Sequence, residues 1–135
     1  MKNQLLETLL KIQKKIQKTK DNSIPQLLED NRVEIEFLKS KFNINDQEAL
    51  LMAACCIHSI ADTSFVFGID EISYLLSINN LEFLLYQNDF QNLVGKNYLS
   101  ESVRQPTKFS NNDNPVFPIF NKEFALHQSL ADYFH

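Results

Sequence analysis

Residues 45–61, Asn-Asp-Gln-Glu-Ala-Leu-Leu-Met-Ala-Ala-Cys-Cys-Ile-His-Ser-Ile-Ala, constrain the fold more than any other stretch. Asn45 is a good helix cap, Glu48 falls at the third helical position, and Ile44 can staple against Ala49. The helix from Asp46 to about Ala61 is then apolar nearly all round through its middle. A helix of that kind belongs at the centre of a domain. At 135 residues and 44% hydrophobic, the chain has the length and apolar content for one compact unit around it.

The flanking segments are patterned to match. Over residues 2–19, Leu5, Leu9, Ile12 and Ile16 recur at helical spacing, with Leu6 and Leu10 widening the stripe. Pro25 disfavours helix at Ile24 and suits the first turn of a new helix, so Asp21–Pro25 is read as a turn. Leu27, Leu28, Val33, Ile35, Phe37, Leu38 and Phe42 give a second helical region, broken near Asn31. Residues 1–42 are therefore read as a helical hairpin extension. It is packed as one unit with a domain over 43–135.

Beyond the central helix, Ser64–Phe67 is a short strand candidate closed by Gly68. Asp70 is placed as the cap of a brief helix, and Asn79 or Asn80 as the cap of another running to Val94. Gly95 is expected to end that helix in the left-handed conformation. Tyr98-Leu99 starts a second strand, 103–115 is a polar loop, and Val116–Phe120 returns as an edge strand restricted by Pro118. Asn121 is read as capping a last helix that carries Phe124, Ala125, Leu126, Leu130 and Phe134. The fold class is mainly α with a small antiparallel sheet, in winged-helix order; a plain helical bundle is the alternative.

Chemistry-bearing motifs are few. The two glycines, Gly68 and Gly95, are too few for a phosphate loop or dinucleotide fingerprint, and neither GxSxG nor HExxH occurs. No cofactor is expected, and the chain is read as not an enzyme. Cys55 and Cys56 are helix neighbours that cannot readily bridge. Cys55 and His58 share a helix face without the further ligands a zinc site needs. With no apolar run approaching a membrane span and no secretory leader pattern, a cytoplasmic protein without membrane contact is expected.

Charge is uneven. The first 20 residues hold six lysines against Glu7, while the remainder holds seven basic and sixteen acidic residues. The basic helix can pair internally, meet an acidic partner or touch nucleic acid. Its stripe, Leu5, Leu9, Ile12 and Ile16, is read as packing on residues 25–42 or on a second copy, the latter making it a candidate self-association surface that would give a homo-oligomer. In winged-helix order the helix over 80–94 would lie against DNA. There Asn80, Tyr86, Gln87 and Gln91, with Arg104 and Lys108 from the loop, are the candidate partner or DNA contacts. The helix carries two acids and neither Lys nor Arg, so the local field has the wrong sign for phosphates. A protein contact is favoured over DNA.

Residues 42–54, Phe-Asn-Ile-Asn-Asp-Gln-Glu-Ala-Leu-Leu-Met-Ala-Ala, resemble the N-terminal winged-helix segment found ahead of the ATPase core in some bacterial AAA-type ATPases. Residues 93–99, Leu-Val-Gly-Lys-Asn-Tyr-Leu, are similar to that pattern's passage from third helix to wing. The likeness spans roughly 42–134. It implies a non-catalytic regulatory or targeting module of a longer protein, with a protein partner or its own ATPase core as the contact. No ATPase residue carries over to this chain. The alternative is a stand-alone DNA-binding transcriptional regulator.

Overall fold

The computed structural model describes residues 3–18, 21–62, 66–103 and 116–134. Helix α1 (Gln4–Ile16) starts at Asn3, whose side chain accepts the Leu6 N–H at 3.1 Å. Helix α2 (Ile24–Asp30) starts at Ser23 with Pro25 in its first turn, and α3 (Arg32–Phe42) follows after Asn31. Asn31 is fully buried, and its amide donates to the Leu27 carbonyl at 2.8 Å. The backbone of Asn31, at φ −113° and ψ 28°, leaves the helical region, so the helix breaks there, where the sequence places a break.

Helix α4 (Asp46–Asp62) is the centre of the fold, with every residue from Glu48 to His58 buried. Its start is the expected reciprocal box. Asn45 Oδ1 accepts the Glu48 N–H at 2.8 Å and Glu48 Oε1 accepts the Asn45 N–H at 2.9 Å. Around α4 one hydrophobic core runs from Leu5 in α1 to Leu130 near the C-terminal end. Leu5, Leu9, Ile12 and Ile16 all lie inside it, at 0–4% exposure. This corrects the self-association stripe: those side chains pack within their own chain, because α4 is hydrophobic on the side that faces them.

Helix α5 (Ile69–Leu76) begins after Gly68, whose N–H donates to Glu71 Oε1 at 3.1 Å; Asp70 lies in the first turn and does not cap. Next come α6 (Asn80–Phe83), capped by Asn79, a tight 3-10 turn over Leu84–Tyr86, and α7 (Gln87–Gly95). The single helix expected over 80–94 is thus two pieces. Three helices end on left-handed residues: α3 at Asn43 (φ 55°), α5 at Ser77 (φ 57°), and α7 just before Asn97 (φ 65°). Gly95 is not left-handed; Asn97 takes that role, and the Tyr98 N–H closes onto Leu93 O at 3.0 Å. A chain with so little glycine fills these positions with small polar residues.

Among the described residues the sheet has two antiparallel strands, β1 (Leu99–Val103) and β2 (Lys122–Leu126), in register from Leu99↔Leu126 to Val103↔Lys122. On the other side of β2, Phe67 bridges Phe124, its N–H and C=O bonded at 2.9 and 2.7 Å. The strand expected over Val116–Phe120 is absent. Pro118, with fixed φ and no N–H, opens a 3-10 turn over Pro118–Asn121, and the ladder starts after it. The last helix is correspondingly short, α8 (Ala131–Phe134), so Phe124, Ala125 and Leu126 are strand residues and Asn121 caps no helix. The expected strand residues 64–65 and most of the polar loop over 103–115 lie outside the described residues.

Part of the basic first helix pairs internally, as Lys15 Nζ reaches Glu34 Oε1 at 2.9 Å. Asp46 sits between Lys39 at 2.9 Å and Arg32 at 3.3 Å. Burial alone would raise Glu34, but the Lys15 hydrogen bond and charge hold it below 4.5, its usual value. Lys39, then Arg32, hold Asp46 below 3.8. Both carboxylates therefore take up protons less readily folded than unfolded. Stability they contribute is present above the ordinary carboxylate range and is lost as pH falls through the lowered folded values. Urea midpoints measured from pH 7 down to pH 3 should fall in that acid window. Glu34→Gln with Asp46→Asn should flatten the fall while lowering the neutral-pH midpoint.

Candidate functional site

Residues 66–103 carry α5, α6, α7 and β1. Five acids, Asp70, Glu71, Glu82, Asp89 and Glu101, stand there against one cation, Lys96. Lys96 Nζ is held by the buried Glu48 carboxylate at 3.0 Å. Over 116–134 the one Lys or Arg is Lys122, and it lies 3.5 Å from Glu101. Among the described residues of this region, each Lys or Arg is already paired with a carboxylate.

The sequence-derived contacts are scattered. Asn80 is exposed, and Ser73 Oγ donates to its Oδ1, joining α5 to α6. Tyr86 is half-buried against the core, and Gln87 is half-buried at the start of α7. Gln91 faces a polar cleft of about 640 Å³ shared with Asn43, Asn45, Glu48, Asn92 and Lys96, between the start of α4 and α7. Near this cleft, burial and then the Glu48 carboxylate push Asp89 above its usual value of 3.8, against a weaker opposing bond to Asn45. The ground is therefore unfavourable to further negative charge. Arg104 and Lys108 lie outside the described residues.

Sequence reasoning missed the large exposed apolar side chains of these elements. Tyr74 of α5 is 87% exposed, Leu81 of α6 is 74% exposed, and Leu85 in the 3-10 turn is 77% exposed. Leu81 reads as a core position in a continuous helix. In the folded chain Phe83, Phe90 and Leu93 fill the core instead, with the Phe83 and Phe90 rings 5.6 Å apart. Only the break at Leu84–Tyr86 reveals this, and short 3-10 turns leave little trace in sequence. Three such side chains stand exposed on consecutive elements, the kind of apolar surface that a protein contact uses.

A second cleft, of about 990 Å³, opens between the end of α4 and α5, reaching the end of α1. His58 forms part of its wall, 6% exposed. Its Nδ1 is 3.6 Å from Asp62 Oδ2 and its Nε2 is 3.4 Å from Glu71 Oε2. Phe67 packs edge-on against the imidazole at 5.6 Å. Among the described residues no group of His, Cys, Asp and Glu has the arrangement to hold a metal ion.

Cys55 and Cys56 are both buried free thiols. Burial pushes Cys56 up to about 12 and Cys55 well above its usual value, so neither presents a thiolate at neutral pH. Among the described residues no helix is long and apolar enough to cross a membrane. Comparison with known proteins finds no match of this chain to a family model, to a curated protein or to a solved structure.

Proposed function

We propose that this chain is a non-catalytic docking module that grips another polypeptide through the face of α5, α6 and α7. The element order α4, Phe67 bridge, α5, α6–α7, β1, β2 supports a winged-helix reading of residues 43–135, with 1–42 as a helical extension packed on it. The observation that carries the proposal is the pairing of Tyr74, Leu81 and Leu85, all strongly exposed, with an acidic setting whose described Lys and Arg residues are neutralised. Apolar anchors inside a polar rim suit a protein interface. Duplex DNA requires cations near its phosphates. The resemblance to modules ahead of AAA-type ATPase cores fits this role, with an ATPase core or a separate protein as the contact.

A mobility-shift titration separates the two readings. The protein should leave a short DNA duplex unshifted even at low salt. A salt-sensitive shift that is lost in Arg104→Ala with Lys108→Ala would overturn the proposal in favour of a DNA-binding regulator.

A further inference from the structure

Helices α1 and α4 pack against each other, and between them runs a groove of about 260 Å³. Leu6, Leu10 and Gln13 line it from α1, and Ile57, Ile60 and Ala61 from α4. Leu6, Leu10 and Ile60 are 41%, 49% and 54% exposed, so the packing of α1 on α4 leaves the groove open. Single exposed apolar side chains are ordinary on a protein surface; several converging on one concavity from two helices mark a contact. The charge beside it is basic. Leu6, Leu10 and Lys14 are spaced by four along α1 and form one row on its surface. Lys11 and Lys18 flank Lys14 at three and four residues, and all three lysines are exposed. Lys15 is held by Glu34 at 2.9 Å, and Lys11 adds only its field to that pair. Among the described residues, no carboxylate forms an ion pair with Lys11, Lys14 or Lys18. Glu7 is the one acid of α1, and Asp62, which follows Ala61 on α4, lies 3.6 Å from His58 Nδ1.

We infer that the groove between α1 and α4 receives an acidic amphipathic helix of another protein, its apolar residues seated among Leu6, Leu10 and Ile60 and its carboxylates paired with Lys14, Lys11 and Lys18. A third helix laid along two packed ones sets its ridge into their groove, with apolar anchors at helical spacing. Charge selects among the occupants. A second copy presenting the same groove would set lysines against lysines, which costs free energy. An anionic membrane surface suits the lysines, but it meets protruding apolar ridges rather than a concavity, and α1 has no aromatic side chain to enter the interface. The inference does not rest on the docking reading of α5 to α7. The residues are different and the charge is opposite, so either can fail alone.

The test uses the full chain, isotope-labelled, with three acetylated and amidated peptides of sequence Ala-X-Leu-Ala-X-Leu-Leu-X-X-Leu-Ala-X, where X is glutamate, glutamine or lysine. The glutamate peptide should bind saturably, with methyl shifts at Leu6, Leu10 and Ile60. The glutamine peptide should bind about tenfold more weakly or worse, and the lysine peptide weakest of all. Raising the salt from about 0.05 M to about 0.5 M should remove most of that difference. Lys11→Glu with Lys14→Glu, both at exposed positions, should reverse the order so that the lysine peptide binds best, a result that a merely structural role for these lysines would not give. Leu10→Gln with Ile60→Gln should weaken the glutamate peptide about tenfold or more, with circular dichroism confirming the fold. If that pair unfolds the chain, the lysine exchange still decides. Equal binding of the glutamate and glutamine peptides, or methyl shifts that spare the groove, overturns the inference. Binding to phosphatidylserine vesicles without binding of the glutamate peptide overturns it in favour of a membrane surface.

Discussion

Phe124→Ala should destabilise the fold by about 3–5 kcal/mol, a large share of the roughly 5–15 kcal/mol that holds a domain of this size together. Phe124 is fully buried, its ring 6.5 Å from Phe67 and 5.3 Å from Phe90. It is also the β2 residue that pairs with Glu101 of β1 on one side and bridges Phe67 on the other. Truncation would empty the space where the sheet meets α7 and leave the backbone bonds without the packing that orders them. For a chain of this length the melting midpoint, followed by far-ultraviolet circular dichroism, should drop by roughly 10–20 °C. Val116→Ala, at a 70% exposed position before Pro118, should change stability by no more than about 0.5 kcal/mol. A Phe124→Ala effect under about 1 kcal/mol would contradict the placement of β2.

Leu81→Asp with Leu85→Asp should weaken partner binding by about a hundredfold or more while leaving the melting curve nearly unchanged. Both leucines are three-quarters exposed, so neither contributes much burial to the isolated fold. Desolvation on binding is where they act, and a charge at the centre of an apolar contact turns a favourable transfer into an unfavourable one. Added carboxylates also lie on a face already rich in them, so an anionic duplex would be repelled by the same change. The readout that isolates the interface is therefore recovery of a polypeptide partner with thermal stability measured alongside. A fall in stability of several kcal/mol would place these leucines in the core instead.

The sequence announces local chemistry more clearly than it announces long-range pairing. Asn45 with Glu48, Asn79 at the start of α6 and the break at Asn31 are readable because a cap or turn needs only nearby residues. The central position of α4 is readable because a helix apolar on all sides has nowhere else to go. Strand β2 is not. Leu126, Leu130 and Phe134 recur at a helical spacing of four while Phe124 and Leu126 fit a strand spacing of two, and the choice falls to the partner strand β1, whose residues lie 19 to 27 positions earlier. Gly95 misleads because Asn97, two residues on, supplies the left-handed turn. The candidate site divides the same way: its acidity is legible in composition. Exposure of Leu81 and Leu85 depends on the 3-10 turn, and the His58 cleft on Glu71 arriving from the next helix.

The most direct measurement places a photo-crosslinking amino acid at position 85 in cells and characterises what becomes attached. The expected product is a protease-sensitive, nuclease-resistant adduct of defined mass, formed from position 85, lost with Leu81→Asp, and not formed from Val33, an equally exposed position on α3. A nuclease-sensitive adduct, or the same polypeptide captured equally well from Val33, would contradict it.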